Sequence, residues 1–160
     1  MATDMFLKLD GIAGESADNK HKGEIDIESF SFGVTQTGTA ARGGGAGAGK
    51  ASFQDLHVVK KADKSSPNLM LKCATGEHIK EAILTVRKAG GQQQEYYKVK
   101  LSDLLVSSFQ NTGSEGSGIP MESVSLNFAK IEFEYKEQDS KGALAGVVKS
   151  GYDLKANKKV

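Results

Sequence analysis

Residues 122–135 of this 160-residue chain read ESVSLNFAKIEFEY, the longest stretch in which apolar and polar side chains alternate. The apolar side chains fall on even positions up to Phe128 and on odd positions from Ile131 onward. Strict alternation is typical of a half-buried strand, and a change of phase indicates a β-bulge, here near Ala129-Lys130. This stretch therefore predicts one long, bulged strand.

The rest of the chain shows the same strand pattern in shorter pieces. Residues 24–37 alternate and change phase near Glu28-Ser29, which predicts a second bulged strand. Residues 77–101 read as a hairpin that turns at Gly90-Gly91. Further strand candidates lie at residues 5–9, 52–60 and 104–109, with a weaker one from Val147 to a Lys158-Lys159 end that we expect to fray.

In the hairpin, Leu84 and Val86 alternate with Thr85 and Arg87. This pattern predicts that the leucine and the valine face the core. Thr85 and Arg87 would then lie on the polar face.

One short helix is predicted near residues 66–75. Ser65-Ser66-Pro67 supplies a capping serine and a proline close to the first helical position. Gly76 suits the C-terminal cap, and we expect Leu69, Met70 and Cys73 to share the buried helical face.

Long bulged strands, one helix and only two prolines predict a mainly β fold. We expect a single domain over residues 1–160, built as a β-barrel of two packed sheets, with the helix and an extended Gly/Ala loop at 40–50 as its additions.

The loop at residues 40–49 contains only alanine, glycine and one arginine. Such a segment has no side chain to anchor it in a core, and a structureless loop inside a domain is usually functional or disordered. Three alternatives remain open from the residues alone: a ligand cradle, a flexible spacer, or an arm that orders against a partner.

Composition excludes several classes of protein. The net charge is +1, from 21 basic and 20 acidic residues, which argues against a nucleic-acid partner. Cys73 is the only cysteine, so no internal disulfide forms. No stretch approaches the ~18 apolar residues of a membrane span, and the first ten residues lack the features of a secretory signal. We expect no membrane insertion, and any export to avoid the general secretory route.

One motif resembles a nucleotide site. Residues 44–51, GGAGAGKA, nearly match the phosphate-binding pattern G-x-x-x-x-G-K-[ST]. Ala51 stands where the metal-binding hydroxyl belongs, and the residues that follow read as strand although a phosphate loop opens a helix. The motif would make the chain a nucleotide-binding or phosphoryl-transfer enzyme that depends on Lys50.

Other chemical groups are isolated. His21, Glu24 and Asp26 lie close in sequence, but their spacing fits no common metal ligand set. Cys73 falls on an apolar helical face, where a thiol is usually inert. No set of nucleophile, base and oxyanion donor is recognisable, so we predict no enzyme activity, no metal and no cofactor.

Ser31 lies between Phe30 and Phe32 on a strand candidate. If both phenylalanines face the core, Ser31 faces the opposite side. A small hydroxyl there is consistent with a smooth surface that another molecule can contact, but from the residues alone an ordinary exposed serine is the simpler interpretation.

Taken in order, the motifs of residues 4–136 resemble the haemolysin-coregulated protein (Hcp) family of bacterial type VI secretion systems. The family often has tryptophans where Phe30 and Phe32 stand, and the tail beyond Glu137 matches poorly. The matching segments are FLKLDGI (6–12), GES (14–16), residues 21–33, the Gly/Ala loop, QDL (54–56), KSSPNLM (64–70), LTVRKAGG (84–91), YY (96–97), LVSS (105–108) and ESVSLNFA (122–129).

The resemblance implies a β-barrel subunit of hexameric rings. In the family, the rings stack head-to-tail into a hollow tube, capped by the VgrG spike and driven out of the cell by a contractile sheath on a baseplate. Small effector proteins travel in the lumen, and the subunit can act as their chaperone. Export through this machine implies a protein found in the cytoplasm and secreted without a signal peptide.

The resemblance also assigns two sites. Ser31 aligns with a lumen-facing position of the family, and we expect it to contact effectors. The loop at 40–50 is expected to stack one ring on the next. Its residues in that role are Arg42, Gly43, Gly44, Gly45, Gly47, Gly49 and Lys50.

A further alternative is a secreted effector with an activity of its own. Some family members carry a fused C-terminal enzyme domain, for which 160 residues leave no room.

Overall fold

A computed structural model describes residues 3–37, 50–89, 93–116, 118–138 and 144–160 of the chain. These residues form eleven β-strands and one α-helix, so the prediction of a mainly β fold with one short helix is confirmed. The elements are β1 (Thr3–Leu9), β2 (Ile25–Asp26), β3 (Ser29–Ser31), β4 (Val34–Gln36), β5 (Ala51–Phe53), β6 (Leu56–Lys61), α1 (Ser66–Thr75), β7 (Ile79–Lys88), β8 (Glu95–Thr112), β9 (Met121–Gln138), β10 (Leu144–Asp153) and β11 (Lys158–Lys159).

The strands form two sheets in the described part of the chain. A nine-stranded sheet has the order β11-β10-β9-β8-β7-β1-β2, with β6 also paired to β9 and β3 paired to β6. A separate two-stranded sheet consists of β4 and β5. Every pair is antiparallel.

The short segment between β2 and β3 hydrogen-bonds to two different strands. The Ile27 amide donates to the Met5 carbonyl of β1 at 3.0 Å, and the next amide, that of Glu28, donates to the Val59 carbonyl of β6 at 2.8 Å. The predicted change of phase near Glu28-Ser29 therefore coincides with the point where the chain changes its strand partner. The expected single strand at 24–37 is three short strands for the same reason.

The long strand β9 also changes partner where its hydrophobic phase changes. It pairs with β6 over Met121–Leu126 and with β10 from Lys130 onward. Its buried side chains include Phe128 before the change and Ile131 after it. The phase change predicted near Ala129-Lys130 is confirmed.

The prediction of a β-bulge at Ala129-Lys130 is wrong, because no register shift occurs there. Strand β8 keeps one register against β9 through this region, and its own buried side chains change phase between Leu101 and Leu104. Asp103, between them, has a φ of 50°, a left-handed conformation uncommon outside glycine. The register shift between the two strands lies instead between Val106 and Ser108. Residues 104–109 consequently continue β8 and do not form a separate strand.

The helix begins and ends where the sequence predicts. Ser65 is its N-cap, and Gly76 has a φ of 67° and donates its amide to the Lys72 carbonyl. The Ser65 hydroxyl makes no capping bond, because it donates to the Asp63 carboxylate instead. Leu69 is buried, whereas Met70 is 56% exposed; placing Met70 on the buried face was wrong, since a side chain one position further along a helix turns about 100° away.

The hydrophobic core lies between β1, β6, β7, β8, β9 and the helix. Phe30, Phe32, Phe53, Cys73 and Phe133 are partly buried against it. Its most fully buried members are Ile25, Val58, Leu84, Leu101, Val124 and Leu126.

Residues 10–24 form a second layer on the other side of β1 and β7. This layer covers the side chains of β1 and β7 that point away from the core. As a result, Phe6, Thr85 and Arg87 are only 4%, 2% and 2% exposed. Thr85 and Arg87 are therefore buried although they lie on the polar face of β7. Alternation distinguishes the two faces of a strand, but it does not show what covers the second face.

The C-terminal end is also more ordered than expected. Lys158 and Lys159 pair with Asp153 and Tyr152 as β11, and the Val160 amide donates to the Gly151 carbonyl at 3.0 Å. The predicted fraying is wrong. The predicted turn at Gly90-Gly91 lies outside the described residues.

Candidate functional site

Ser31 is exposed on β3, and its neighbours Phe30 and Phe32 pack against the core. The expectation that Ser31 faces away from the core is confirmed. Directly opposite it on β6 stands His57.

Small polar side chains continue from Ser31 across three more strands. His57 is paired in register with Ser125 of β9, and Ser125 with Ser108 of β8. The ring nitrogen Nδ1 of His57 lies 2.9 Å from the Ser125 hydroxyl. We name the surface formed by Ser29, Ser31, His57, Ser108, Ser123 and Ser125 the serine face.

One end of the serine face is fixed by a carboxylate. Asp55 accepts hydrogen bonds from the Ser107 hydroxyl at 2.6 Å and from the Asn127 amide at 2.8 Å. The surface thus presents oriented hydroxyl groups with few charges. It is suited to reversible hydrogen bonding with a large partner.

The hydrogen-bonded His57 and Ser125 resemble a base and a nucleophile, but the remaining parts of a catalytic set are missing around them. A working set also needs a group that orients the base and donors for an oxyanion. Among the described residues no carboxylate lies within hydrogen-bond distance of His57. We therefore interpret this hydrogen bond as a structural contact that fixes the orientation of the His57 ring.

Most of the residues that are predicted to stack the rings lie outside the residues that the structure describes. Arg42, Gly43, Gly44, Gly45, Gly47 and Gly49 lie outside the described residues, and Lys50 is exposed just before β5. Strands β4 and β5, on either side of this segment, pair antiparallel with Val34 opposite Phe53. After Lys50 the chain therefore continues as the strand β5, whereas a phosphate loop is followed by a helix. This removes the main support for the nucleotide site.

His21 of the suggested metal trio is engaged by carboxylates on both sides of its ring. Its Nδ1 lies 2.9 Å from Glu24, and its Nε2 lies 2.5 Å from Glu95. Burial raises the pKa of Asp26, the third member. No group of three potential ligands that could hold a metal occurs within the described ranges. Cys73 is partly buried and packs against the core.

The layer of residues 10–24 is anchored by Arg87. Its guanidinium lies 4.8 Å from the centre of the Phe6 ring and donates to Asp4 and Asp18. The hydrogen bond from Arg87 lowers the pKa of Asp18 to about 2. The His21 ring also stacks on Phe6, with the two ring centres 4.4 Å apart.

A surface ion cluster lies where Asp103 leaves the regular strand conformation. Asp103 is bound by His78 at 2.7 Å and by Lys155 at 2.5 Å. The hydrogen bond from His78 is the main reason that the pKa of Asp103 is lowered, with Lys155 second. The cluster ties the turn after β10 to the strands β7 and β8.

An apolar surface lies at the edge of the sheet. Val147 and Val148 of β10 are 57% and 66% exposed, and we name them the apolar edge. Within the described residues, β10 pairs with β9 on one side, and on its other side only Tyr152 and Asp153 have a strand partner. An unpaired strand edge with exposed apolar side chains is a surface on which another chain can pair.

A cleft of about 200 Å³ adjoins the apolar edge. Phe32, Phe53, Phe133 and Tyr152 line it, together with Val34 of β4, which is 54% exposed. A second apolar surface therefore lies beside the edge strand.

Sequence reasoning missed most of the serine face. His57 and Ser125 are 68 positions apart, and only the pairing of β6 with β9 brings them together. The available signal was the run of serines at alternate positions 123 and 125, which marks one face of a strand but not its neighbours.

Comparison with known proteins gives a consistent result. The family model described as "Type VI secretion system effector, Hcp" matches residues 6–135. Protein hcp1 of Pseudomonas aeruginosa strain PAO1 is 50% identical over 159 residues, which are 98% of each chain.

Solved structures agree with the sequence matches. A structure titled as a type six secretion system protein aligns with a TM-score of 0.93 at 31% identity, covering 99% of this chain and 100% of its own. Hcp1 from Salmonella typhimurium aligns with a TM-score of 0.82 at 39% identity, covering 99% and 100%. The resemblance read from the sequence is confirmed. Separately, the described helix falls short of the length and hydropathy needed to cross a membrane.

Proposed function

This chain belongs to the Hcp family of type VI secretion proteins, and we propose that it forms hexameric rings that stack into the hollow inner tube of that system. The observation that carries this proposal is the apolar edge on the unpaired side of β10. Val148, 66% exposed in a single chain, would be covered when a second copy packs there.

The barrel expected from the sequence belongs to the same proposal. The segment 25–31 bonds to β1 through Ile27 and to β6 through Glu28, while β6 is joined to β1 through β9, β8 and β7. We propose that this path closes the main sheet of one 160-residue domain into a barrel. A barrel presents few free strand edges, so that the remaining edge directs assembly.

The loop at 40–50 is proposed to stack the rings. It joins β4 to β5, and these two strands pair with each other apart from the main sheet. Its glycines and alanines allow a close approach to the backbone of another subunit. A near-zero net charge supports packing of like copies, because strong like charge would repel.

The serine face, including Ser31, is proposed to contact effectors. Ser31, His57, Ser125 and Ser108 form a continuous row of polar side chains across four strands. In a ring, this row would line the lumen and bind cargo by hydrogen bonds weak enough to release it. The subunit would act as a carrier and chaperone without catalysis, metal or cofactor.

The remaining partners follow from the family. We propose contacts with the VgrG spike, the contractile sheath and the baseplate proteins, and a location in the cytoplasm before export through the machine. Nucleic acid and membrane are not among the proposed partners.

The first test is the native mass of the purified protein, followed by electron microscopy of the same peak. A six-subunit mass with ring-shaped particles is expected. Val148→Glu should shift the mass towards the monomer, whereas Ile119→Glu, at a residue 57% exposed between β8 and β9, should not. A monomer at high micromolar concentration of the unchanged chain would overturn the ring proposal.

Stacking has a separate test. Deleting residues 43–49 should leave the ring mass unchanged and shorten or abolish tubes seen at high protein concentration. Tubes of normal length after the deletion would show that the loop does not stack the rings.

A further inference from the structure

The layer of residues 10–24 carries a cleft lined by lysines. The cleft has a volume of about 450 Å³, and its wall includes Lys8, Lys20, Lys22 and Glu24. All three lysines are exposed, and within the described ranges none of them has a carboxylate within ion-pair distance. We name this depression the lysine cleft.

The carboxylates of the same layer are engaged elsewhere. Asp18 is bound by Arg87, and Glu24 lies 2.9 Å from His21. Glu15 accepts the Lys64 amide at 2.7 Å. Asp10 remains, and it is not part of the wall of the cleft. The wall of the cleft therefore holds three lysines against the single carboxylate of Glu24, and a net positive charge is left there.

Backbone contacts fix the shape of the cleft. The Gly14 amide donates to the Gly23 carbonyl at 2.8 Å, and the Gly23 amide donates to the Ser16 carbonyl at 2.9 Å. Gly23 also has a φ of 79°, which an alanine would adopt only with strain. These bonds hold residues 14–16 and Gly23 together in the absence of a ligand. A preformed site loses less entropy on binding than a flexible one.

From this charge and shape, we propose that the lysine cleft is a docking site for an acidic segment of a partner protein. Its volume falls within the range of about 300–1,000 Å³ that is usual for ligand sites. Ammonium groups act as point charges without the fork of arginine, which suits carboxylates that arrive on a flexible peptide. Glu24 in the wall and a net charge of +1 for the chain disfavour an extended polyanion such as nucleic acid.

The lysine cleft shares no residue with the serine face, the apolar edge or the loop at 40–50. Docking there is consequently a function beyond ring formation and effector contact. A failure of this inference would leave the proposed tube function untouched, and the reverse also holds.

The test is fluorescence anisotropy with a labelled hexaglutamate peptide at low salt, using the full chain in its native assembly. We expect saturable binding that weakens about tenfold in the variant Lys8→Gln, Lys20→Gln, Lys22→Gln, since three exposed charge pairs with the peptide are lost together. The matched control is Lys64→Gln, Lys80→Gln, Lys158→Gln, which removes the same charge from exposed lysines outside the cleft. Its affinity should stay within about twofold of the unchanged chain.

Three outcomes would overturn the inference. Absence of saturable binding removes the site, and equal losses in both triple variants would show attraction by net charge alone. Inorganic phosphate that competes as strongly as the peptide would show a site for small anions in place of a docking site. Hexaglutamine should not bind, and circular dichroism should confirm that both variants are folded.

Discussion

Ser31 and His57 stand directly opposite each other in the antiparallel pair of β3 and β6, although 25 residues separate them in the sequence. The His57 ring is in turn held 2.9 Å from Ser125 on β9. Three strands thus fix one polar surface around Ser31, and a longer side chain at that position would stand above this surface.

Ser31→Gln should impair effector carriage while rings survive. The longer amide projects from an exposed position, so it blocks contact without disturbing the core. The measurement is the set and amount of small proteins that co-purify with the tagged chain from its own bacterium, together with the native mass.

Ser31→Ala is the matched control, because it keeps the surface small at the same position. Its cargo should be reduced less than that of Ser31→Gln. Full cargo retention by Ser31→Gln in intact rings would rule out Ser31 as an effector contact.

Asp18→Asn should lower the melting temperature at pH 7 by an amount that vanishes in acid. Arg87 holds the pKa of Asp18 at about 2, below its ordinary value of 3.8. A carboxylate with a lowered pKa stabilises the fold above its unfolded pKa, and this contribution is lost as the pH falls through the folded value. The difference in melting temperature should therefore shrink between about pH 4 and pH 2.

Asp10→Asn provides the comparison for this pH series, since Asp10 is exposed and its side chain has no ion-pair partner within the described residues. It should leave the melting temperature nearly unchanged. A gap between Asp18→Asn and the unchanged chain that stays constant down to pH 2 would refute the role of the ionised carboxylate.

Lys60→Met should cost about 3–5 kcal/mol of the free energy of unfolding. It removes the cation beside the buried carboxylate of Glu122, which keeps only its neutral hydrogen-bond donors Ser66 and Asn111. Lys60 and Glu122 are 2.5 Å apart with side chains 1% and 0% exposed. The double variant Lys60→Met, Glu122→Met should cost less than the sum of the single changes, since it leaves no buried charge from this pair. Asp63, the second partner of Lys60 at 3.1 Å, loses the same contact in the single and the double variant. Urea unfolding of the four proteins measures this coupling.

Lys61→Met is the exposed counterpart for this cycle. Lys61 lies 3.8 Å from Glu28 with both side chains at least 50% exposed, and its loss should cost no more than about 1 kcal/mol. Strict additivity at Lys60 and Glu122 would show that the buried pair is not coupled.

Gly14→Ala should destabilise the layer of residues 10–24. An added Cβ would lie 2.5 Å from the Glu24 carbonyl oxygen and 2.7 Å from the Ile25 Cα, both backbone atoms that cannot turn aside. We expect a clear fall in melting temperature and faster amide exchange at Ser16 and Gly23, which bond across this contact.

Gly146→Ala tests the same change in open space, because nothing lies within 4 Å of its added Cβ. It should be neutral or slightly stabilising. Equal melting temperatures for the two variants would mean that the close approach at Gly14 is relieved by a small backbone shift.

The sequence predicted the strands well wherever one face of the strand meets the core. Alternation around Phe128 and Ile131 located the phase change of β9, and Ser65, Pro67 and Gly76 located the helix. It failed at Thr85 and Arg87, which alternate with core residues and yet are buried. Their cover is a polar layer whose own sequence has no periodicity.

The candidate site divides in the same way. Ser31 could be singled out because its two aromatic neighbours fix its direction on the strand. His57, Ser125 and Ser108 could not be, since strand register depends on distant pairing and leaves no local signal.

What the sequence by itself determined is the mainly β class, the helix, the direction of Ser31 and membership of the Hcp family, because each depends on local periodicity or on ordered motifs. What only the tertiary structure decided is which strands adjoin. That choice brings Arg87 to Asp18, joins four strands into the serine face and leaves Lys8, Lys20 and Lys22 without acidic partners in the described chain. The physical reason is that burial and ion pairing depend on neighbours that are far apart along the chain.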